Sequence, residues 1–244
     1  MYEAFNENTT LRELLVKHPQ TRHVFEALDI DYCCSGLDDL KTAAAEAGVP
    51  LPAVMESLLA ALEAPPDAAE RDWAAVTPGE LVDHLMERHH APLKHELPRL
   101  HELIAKVINA HPRHNAMLAD LQRNFEPLKH DLDGHLTKEE TVLFPLIRRM
   151  DAFLHRRAAK PEQIDALHSN LGQMEYEHEA AGLTLGKMRE ITCNYALPDD
   201  ACVAFRALYD GLKTLEADLH EHVHLENNIL FPQTVELEKA ARKR

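Results

Sequence analysis

A fifteen-residue pattern occurs twice in this 244-residue chain and constrains its fold more than any other feature. Residues 131–145 read DLDGHLTKEETVLFP and residues 218–232 read DLHEHVHLENNILFP, so D-L-x-x-H-x-x-x-E-x-x-x-L-F-P recurs at an offset of 87 residues. Residues four apart on an α-helix differ by about 6 Å of rise and about 40° of rotation, which places the Asp, His, Glu and Leu of each copy along one stripe. The Leu-Phe end marks that stripe as a core-facing side.

The composition predicts an all-α protein. Strand signals are nearly absent, and the chain is rich in Leu, Ala, Glu, Lys and His, with apolar residues three and four apart. The stretch APPDAAERD at 64–72 is typical of a linker. We therefore predict a small helical domain at 1–63, a linker at 64–76 and a larger helical domain at 77–240.

Sequence breaks divide the larger domain into four helices. TPGE at 77–80 forms a capping box with proline at the first helical position, which predicts the start of a long helix. Breaks at 110–115, 158–161 and 194–199 leave four helical stretches with short connections. This organisation predicts an antiparallel four-helix bundle.

The repeat extends to the first and third helices of the bundle. The sequences MERHH and MEYEH end at His90 and His178 and are offset by 88 residues. This alignment favours His90 over His89 as the partner of His178, because His89 aligns with Glu177. Each helical hairpin therefore supplies one single histidine and one His-x-x-x-Glu pair.

Histidine and glutamate on a buried stripe need partners, because burying an unpaired charge is costly. A metal ion satisfies both residue types, although a single His-x-x-x-Glu pair is also common in ordinary helices. Nitrogen and oxygen ligands without a thiolate suit iron, manganese or zinc, and two bridging carboxylates predict a dinuclear site. With an oxo or hydroxo bridge, each ion keeps one open position. The six candidate ligands are His90, His135, Glu139, His178, His222 and Glu226.

Residues around the candidate ligands have weaker predicted roles. Asp131 and Asp218 lie one turn before ligand histidines and either orient those rings or belong to a solvated helix face. Pro92 and Pro98 are expected to bend the first bundle helix. Other histidines are assigned to the surface or to the neighbourhood of the ligands: His84, His89, His95 and His101.

Charge and termini limit the partners and the compartment. The net charge of −15 disfavours nucleic acid, since the only basic cluster is the tail at 242–244. A membrane partner is not expected, because the sequence lacks an apolar run of membrane-spanning length. The N-terminus lacks a secretory signal, so we expect a cytoplasmic protein whose cysteines stay reduced. The four cysteines are Cys33, Cys34, Cys193 and Cys202.

These motifs resemble the iron-sulfur cluster repair proteins with a di-iron centre, a family also called repair of iron centres. The resemblance covers nearly the whole chain, with an N-terminal D-Y-C-C-x-G motif and a hemerythrin-like bundle. The matching segments are DYCCSG at 31–36, RHH at 88–90, HLTKEETVLFP at 135–145, EYEHEAAG at 175–182 and HVHLENNILFP at 222–232.

The resemblance implies a function as well as a fold. It implies that the four histidines named above are terminal ligands of two non-haem iron ions and that Glu139 and Glu226 bridge them. The implied role is repair of iron-sulfur proteins damaged by nitric oxide or peroxide, by release of iron from a labile centre, with nitric oxide or oxygen as small ligand. An oxygen or nitric oxide carrier or sensor and a di-iron nitric oxide reductase are the alternatives, so enzymatic activity stays open, as does a homodimer.

The adjacent cysteines allow several interpretations. Cys33 and Cys34 form either a strained vicinal disulfide or a thiol pair that handles redox chemistry, iron or nitric oxide. A pair of small residues packed in a turn is the alternative. Gly36 indicates a turn and predicts exposure of the pair. Cys193 and Cys202 flank the connection between the third and fourth bundle helices and look incidental.

Overall fold

The chain folds into helices that form two compact units. The computed structural model describes residues 5–63, 71–156 and 167–243. Unit 1 comprises Met1–Thr77 with Val223–Gln233, and unit 2 comprises Pro78–His222 with Thr234–Arg244. No strand forms in the described part of the chain, where Thr10 and Asp39 make an isolated β-bridge. The all-α prediction is confirmed.

Unit 1 contains four short helices around an apolar core. Thr10 and Glu13 form a capping box at the start of α1, and the Asp39 side chain caps α3 by accepting from the Thr42 N–H. Phe25 is fully buried among leucine side chains of these helices, and Val223 belongs to the same core. The helices are α1 (Leu11–Lys17), α2 (Arg22–Ala27), α3 (Leu40–Glu46) and α4 (Leu51–Glu63).

The bundle consists of four long helices, here named A to D. Its core is formed by buried side chains of all four, including Leu100 of helix A, Phe125 of helix B, Met188 of helix C and Leu212 of helix D. Helix A is α5 (Pro78–Leu85), a π-helical segment (Met86–His90) and α6 (Ala91–Ala110); helix B is α7 (Asn115–Lys138), a π-helical segment (Glu139–Leu143) and α8 (Phe144–Arg156); helix C is α9 (Leu167–Ile191); helix D is α10 (Val203–Leu225), a π-helical segment (Glu226–Leu230) and α11 (Phe231–Arg242).

Helix A begins at Pro78, as the capping sequence predicts. Two of the predicted breaks, at 110–115 and 194–199, fall in the connections between helices A and B and between C and D. The third, at 158–161, lies outside the described residues, as does the first part of the linker, 64–70. The linker bounds therefore stay predictions.

Each π-helical segment stands two residues before a proline. A proline lacks the N–H that an α-helix needs and its ring meets the carbonyl four residues earlier, which in each case lies inside the π-helical segment. The wider π turn accommodates that ring and changes the direction of the side chains around it. Pro92 and Pro98 were both expected to bend helix A; a π-helical segment precedes Pro92, and α6 continues through Pro98. The three prolines are Pro92, Pro145 and Pro232.

Among the described helices, none is both long and apolar enough to cross a membrane alone. The bent pair Leu40–Glu46 and Leu51–Glu63 meets the length and composition criteria only when its two members are taken together, at an angle of 119°.

Close packing of helix D on helix A requires a glycine. A Cβ added at Gly211 would lie 2.7 Å from the Cδ2 atom of Leu100 and 2.7 Å from the Nη2 atom of Arg99. Leu100 is fully buried and cannot move aside without disturbing the core. A Cβ added at Gly186 on helix C would have no atom of the described residues within 4 Å, apart from its own helix and neighbours.

We expect Gly211→Ala to destabilise the protein by about 1–3 kcal/mol, because the added methyl group overpacks this helix contact. Gly186→Ala is the matched control and should stabilise by about 0.5–1 kcal/mol, since alanine favours a helix over glycine. Thermal unfolding followed by circular dichroism measures both. A Gly211→Ala midpoint at or above the wild-type value would contradict the close contact.

Candidate metal centre

Unit 2 brings the predicted histidines of the bundle around one carboxylate. Glu139 on helix B is fully buried. Its Oε2 atom lies 3.5 Å from Nε2 of His90, and its Oε1 atom lies 3.4 Å from Nε2 of His135. One carboxylate group therefore has an imidazole on each oxygen.

A second imidazole stands beside each of these two. The Nε2 atoms of His135 and His178 are 3.0 Å apart, and the ring centroids of His90 and His222 are 5.0 Å apart. Ligand atoms of His135, His178 and Glu139 all lie within 4.8 Å of one another, and so do those of His90, His222 and Glu139. The bundle thus contains two His-His-carboxylate sets that share Glu139.

These distances fit metal coordination. Two donors at right angles, each about 2.1 Å from one ion, are about 3.0 Å apart, and donors at a tetrahedral angle are about 3.4 Å apart. The His135–His178 and His135–Glu139 separations match these values. Without a cation, a carboxylate this deeply buried would carry a large desolvation cost.

The last candidate ligand, Glu226, begins the π-helical segment of helix D. It is fully buried and lies four residues, about one turn, after His222 on that helix. The repeat gives Glu139 the same relation to His135.

Two glutamates that were not predicted orient two of the candidate ligand histidines. Nδ1 of His90 lies 3.0 Å from Oε1 of Glu140, and Nδ1 of His135 lies 2.8 Å from Oε2 of Glu177. A ring whose Nδ1–H donates a hydrogen bond to a carboxylate keeps the lone pair on Nε2 for a metal ion. In both rings, Nε2 is the atom that faces Glu139.

Both orienting glutamates are held ionised. Burial raises the pKa of Glu177, but hydrogen bonds from Lys138, Gln173 and His135 outweigh it and lower that pKa to about 2. Burial likewise opposes the lowering of the Glu140 pKa, which follows from hydrogen bonds with Lys94 and His90. At neutral pH both side chains are therefore anions, which accept a hydrogen bond from the N–H group of a histidine ring. In the sequence, each of these glutamates is adjacent to a candidate ligand, since Glu140 follows Glu139 and Glu177 precedes His178. This adjacency was the available sequence signal for their role.

The aspartates of the repeat have a different role from the one considered first. The Nδ1 atom of His135 is hydrogen-bonded to Glu177. Asp131 is exposed, as expected for a residue on a solvated helix face. Asp218 lies 3.0 Å from Nδ1 of His89, which is buried and stacks on His222 at 5.3 Å between ring centroids. Asp218 therefore orients a neighbour of a candidate ligand.

Three more of the histidines assigned to the surface or to the neighbourhood of the ligands are less deeply buried than His89. His84 packs edge-on against His89 with ring centroids 5.5 Å apart. His95 is exposed, and His101 is 3.7 Å from Glu126 on the surface of the bundle.

In unit 1, the predicted cysteine pair forms a compact thiol cluster with Asp31. The two sulfur atoms are 3.8 Å apart, and both cysteines are free thiols. The Asp31 Oδ1 atom accepts hydrogen bonds from the backbone N–H groups of Cys33 and Cys34, each at 3.0 Å, and from the Cys33 thiol at 3.2 Å. These three residues also have ligand atoms close enough to hold a metal ion.

The two thiols differ in accessibility and acidity. Cys34 is half-buried, whereas Cys33 is buried, so the prediction of exposure was wrong for Cys33. The hydrogen bond with Cys34 and burial raise the pKa of the Cys33 thiol well above its usual range. Cys33 is therefore a protonated thiol at neutral pH.

Two asparagines of the segment after Glu226 hold the cysteine loop within unit 1. The side-chain amide of Asn227 donates to the Cys33 carbonyl at 3.1 Å, and that of Asn228 donates to the Tyr32 carbonyl at 3.0 Å. Arg12 donates to the Asn227 carbonyl and to Asn228 Oδ1. The sequence did not predict this clamp, because an Asn-Asn pair after a candidate ligand does not by itself indicate that the cysteine loop lies beside it.

Gly36 makes this clamp possible. A Cβ at Gly36 would lie only 2.0 Å from Asn228 Oδ1, and Asn228 is buried and held by several hydrogen bonds. The glycine is thus required for close approach, and it lies in the predicted turn, which the Asp38 N–H closes on the Ser35 carbonyl.

Comparison with known proteins identifies both parts of the chain. Residues 81–234 match the family model described as hemerythrin HHE cation binding domain, and residues 7–62 match a domain of unknown function, DUF542. The iron-sulfur cluster repair protein YtfE of Edwardsiella ictaluri is 35% identical over 92% of this chain and 96% of its own length. The chain belongs to the YtfE family. The resemblance inferred from the DYCCSG motif and the repeated His-x-x-x-Glu pattern is confirmed.

Other YtfE proteins show the same extent of similarity. That of Musicola paradisiaca is 34% identical over 93% of this chain and 96% of its own length, and that of Salmonella schwarzengrund is 33% identical over 92% and 96%. The bundle is a hemerythrin-type cation-binding domain, and its His/Glu cluster has the donors to hold a metal.

We expect Glu177→Gln to weaken metal binding by about tenfold, because a neutral amide oxygen accepts a weaker hydrogen bond from the His135 Nδ1–H than a carboxylate does. Competition with a chromogenic iron chelator measures the effect. Glu175→Gln, at an exposed position on the same helix, is the control and should match the wild type. Equal iron release from both variants would show that Glu177 does not tune the site.

We expect Asn228→Ala to accelerate alkylation of Cys33 by about tenfold, since each lost hydrogen bond contributes about 1 kcal/mol to keeping the loop closed. Iodoacetamide labelling followed by peptide mass spectrometry measures the rate. Asn115→Ala, at an exposed position of helix B, is the control. A Cys33 rate that stays at the wild-type value would refute the clamp.

Proposed function

We propose that this chain carries a non-haem di-iron centre and repairs iron-sulfur clusters damaged by nitrosative or oxidative stress in the cytoplasm. The observation that carries the proposal is the buried Glu139 carboxylate with one His-His set on each of its oxygens. The proposed ligands are the four histidines of those sets together with the carboxylates of Glu139 and Glu226.

The repair role is supported by the extent of the family similarity. The YtfE relatives that are named iron-sulfur cluster repair proteins align with this chain over more than nine-tenths of its length, through both the DUF542 and the hemerythrin regions. Damaged iron-sulfur proteins are therefore the proposed partners, and nitric oxide or oxygen the proposed small ligand.

The chain's own residues set the chemistry of the centre. Glu140 and Glu177 hold Nδ1 of His90 and His135, which fixes the rings with Nε2 free to bind a cation. The ligand set contains nitrogen and oxygen donors only, which suits labile iron better than a thiolate cage would. When bound, the iron pair supplies open positions for a small ligand and a store of iron for transfer.

The thiol cluster favours repair over simple carriage of oxygen or nitric oxide. Cys33 and Cys34 stand with Asp31 in an arrangement that can bind a metal ion, which a carrier of a small gas does not need. We propose that the half-buried Cys34 meets the client or its iron first and that the protonated Cys33 follows as the second thiol. Nitric oxide reduction would require multiple turnovers with an electron donor.

We expect freshly purified protein to contain about two iron ions per chain and the Glu139→Leu, Glu226→Leu variant to contain almost none, because the variant would lack both carboxylates that would hold the pair. Elemental analysis measures iron and zinc together. Glu179→Leu removes an exposed carboxylate from helix C and should leave the iron content unchanged. Zinc alone, or equal iron in all three proteins, would overturn the di-iron proposal.

The repair role is tested separately with the Cys33→Ser, Cys34→Ser variant. It should keep the wild-type iron content, since no bundle ligand changes, and should reactivate a nitric-oxide-damaged iron-sulfur enzyme more slowly. Unchanged reactivation would exclude the thiols from repair, and no reactivation by the wild-type protein would exclude repair itself.

A further inference from the structure

His89 is a buried histidine of helix A that is not one of the six candidate ligands. It is 1% exposed and lies in the π-helical segment Met86–His90, directly before the candidate ligand His90. Its Nδ1 atom lies 3.0 Å from Oδ1 of Asp218. Its Nε2 atom is buried and has no hydrogen-bond partner among the described residues. A buried nitrogen without a partner is rare in a folded protein and calls for an unseen ligand or a functional role.

The His89–Asp218 pair has the same arrangement as two of the candidate ligands. His90 and His135 also place Nδ1 against a carboxylate, and their Nε2 atoms face Glu139. A carboxylate that accepts the Nδ1–H leaves a lone pair on Nε2, and this electron pair can bind a metal ion. His89 is therefore a third imidazole that is buried and oriented for a cation, outside the two His-His-carboxylate sets.

Side chains that can bind a metal lead from His222 towards the surface at this place. The His89 ring stacks on the ring of His222 at 5.3 Å between centroids, and His84 packs edge-on against His89 at 5.5 Å. Exposure rises along this series. His222 and His89 are each 1% exposed, the Asp218 side chain is 28% exposed, and His84 is half-buried. A nitrogen or oxygen donor is thus available at each step between the buried ligand and the surface.

Lysines cover the two other carboxylates that orient histidines. Lys94 donates to Glu140, and Lys138 donates to Glu177. In the described part of the chain, Asp218 forms no ion pair with a lysine or an arginine, and its buried Oδ2 atom has no hydrogen-bond partner. Because like charges repel, a cation is disfavoured beside either lysine and is attracted to the Asp218 carboxylate. The His89 side is therefore the favourable one for the passage of a cation.

We propose that His89 and Asp218 form a transit site through which iron ions enter and leave the centre on its His90–His222 side. The inference rests on the proposed di-iron function and adds the route that the iron follows. His89 offers the lone pair of Nε2 to an ion that exchanges one imidazole for another. The Asp218 carboxylate keeps the His89 ring in place and stabilises positive charge between the centre and the surface. The ligands exchange without any change of oxidation state.

The test separates the rate of metal exchange from the affinity of the centre. His89→Phe keeps an aromatic ring against His222 and removes the nitrogen donors. We expect the metal-free variant to take up about two Fe²⁺ ions under argon, with an affinity within about twofold of the wild type. Its uptake of Fe²⁺ and its release of iron to a chromogenic chelator should both slow by about tenfold. A group that acts only on the path changes both rates by the same factor and leaves the equilibrium unchanged.

Two further variants make the result specific to this pair. Asp218→Asn keeps the size of the side chain and an oxygen that accepts from His89, but it removes the negative charge. Uptake and release in Asp218→Asn should each slow by about threefold, because the attraction for a cation is lost. His95→Phe replaces an exposed histidine of the same helix and should exchange iron at the wild-type rate. Circular dichroism checks the fold of each variant, and Asp218→Asn carries the test if His89→Phe destabilises the bundle.

The outcomes distinguish this inference from the di-iron proposal on which it rests. A wild-type protein that takes up no iron would overturn the di-iron proposal itself. Normal uptake by the wild type, with unchanged rates in His89→Phe and Asp218→Asn, would overturn the transit site alone. A lower affinity with faster release in His89→Phe would show that His89 only supports the ring of His222, which also contradicts the transit site.

Discussion

The structure of the bundle depends on one fully buried carboxylate. Glu139 has no exposed surface and places an imidazole nitrogen within 3.5 Å of each of its oxygens. Such a group is tolerable only if positive charge surrounds it. Glu140 and Glu177 accept hydrogen bonds from the Nδ1–H groups of His90 and His135, which leaves the Nε2 atoms of these rings as electron-pair donors. Because Glu139 and these rings present acceptors to the same space, that space is shaped for cations.

The prolines explain how ordinary helices present these side chains. An uninterrupted α-helix would hold residues four apart on a slowly drifting stripe. Instead, a π-helical segment stands two residues before Pro92, Pro145 and Pro232, where a ring displaces an α-helical hydrogen bond. His90 ends one such segment, whereas Glu139 and Glu226 each begin one. The Leu-Phe-Pro ending of the repeat therefore sets the backbone of two candidate ligands as well as marking a core-facing side.

Sequence reasoning reached the four helices and the histidines around Glu139 because these obey spacing rules within a helix. His90 was distinguished from His89 by the internal repeat alone, and the structure places His90 against Glu139. Glu140 and Glu177 were missed, since each acts on a ring carried by another helix and no spacing rule links the two. The burial of Cys33 was missed for the same reason, as Asn227 and Asn228 follow it by almost two hundred residues.

The segment that begins with Glu226 carries both a candidate metal ligand and the side chains that hold the cysteine loop. Glu226 is a candidate ligand, and the next two residues donate their side-chain amides to the carbonyls of Tyr32 and Cys33. A hydrogen bond between a buried amide and a backbone carbonyl tolerates little displacement, because an unpaired amide costs about 1–3 kcal/mol. The position of the cysteine loop and the position of this segment are therefore fixed together. Any substitution that moves the loop must either break these hydrogen bonds or move the backbone that carries Glu226.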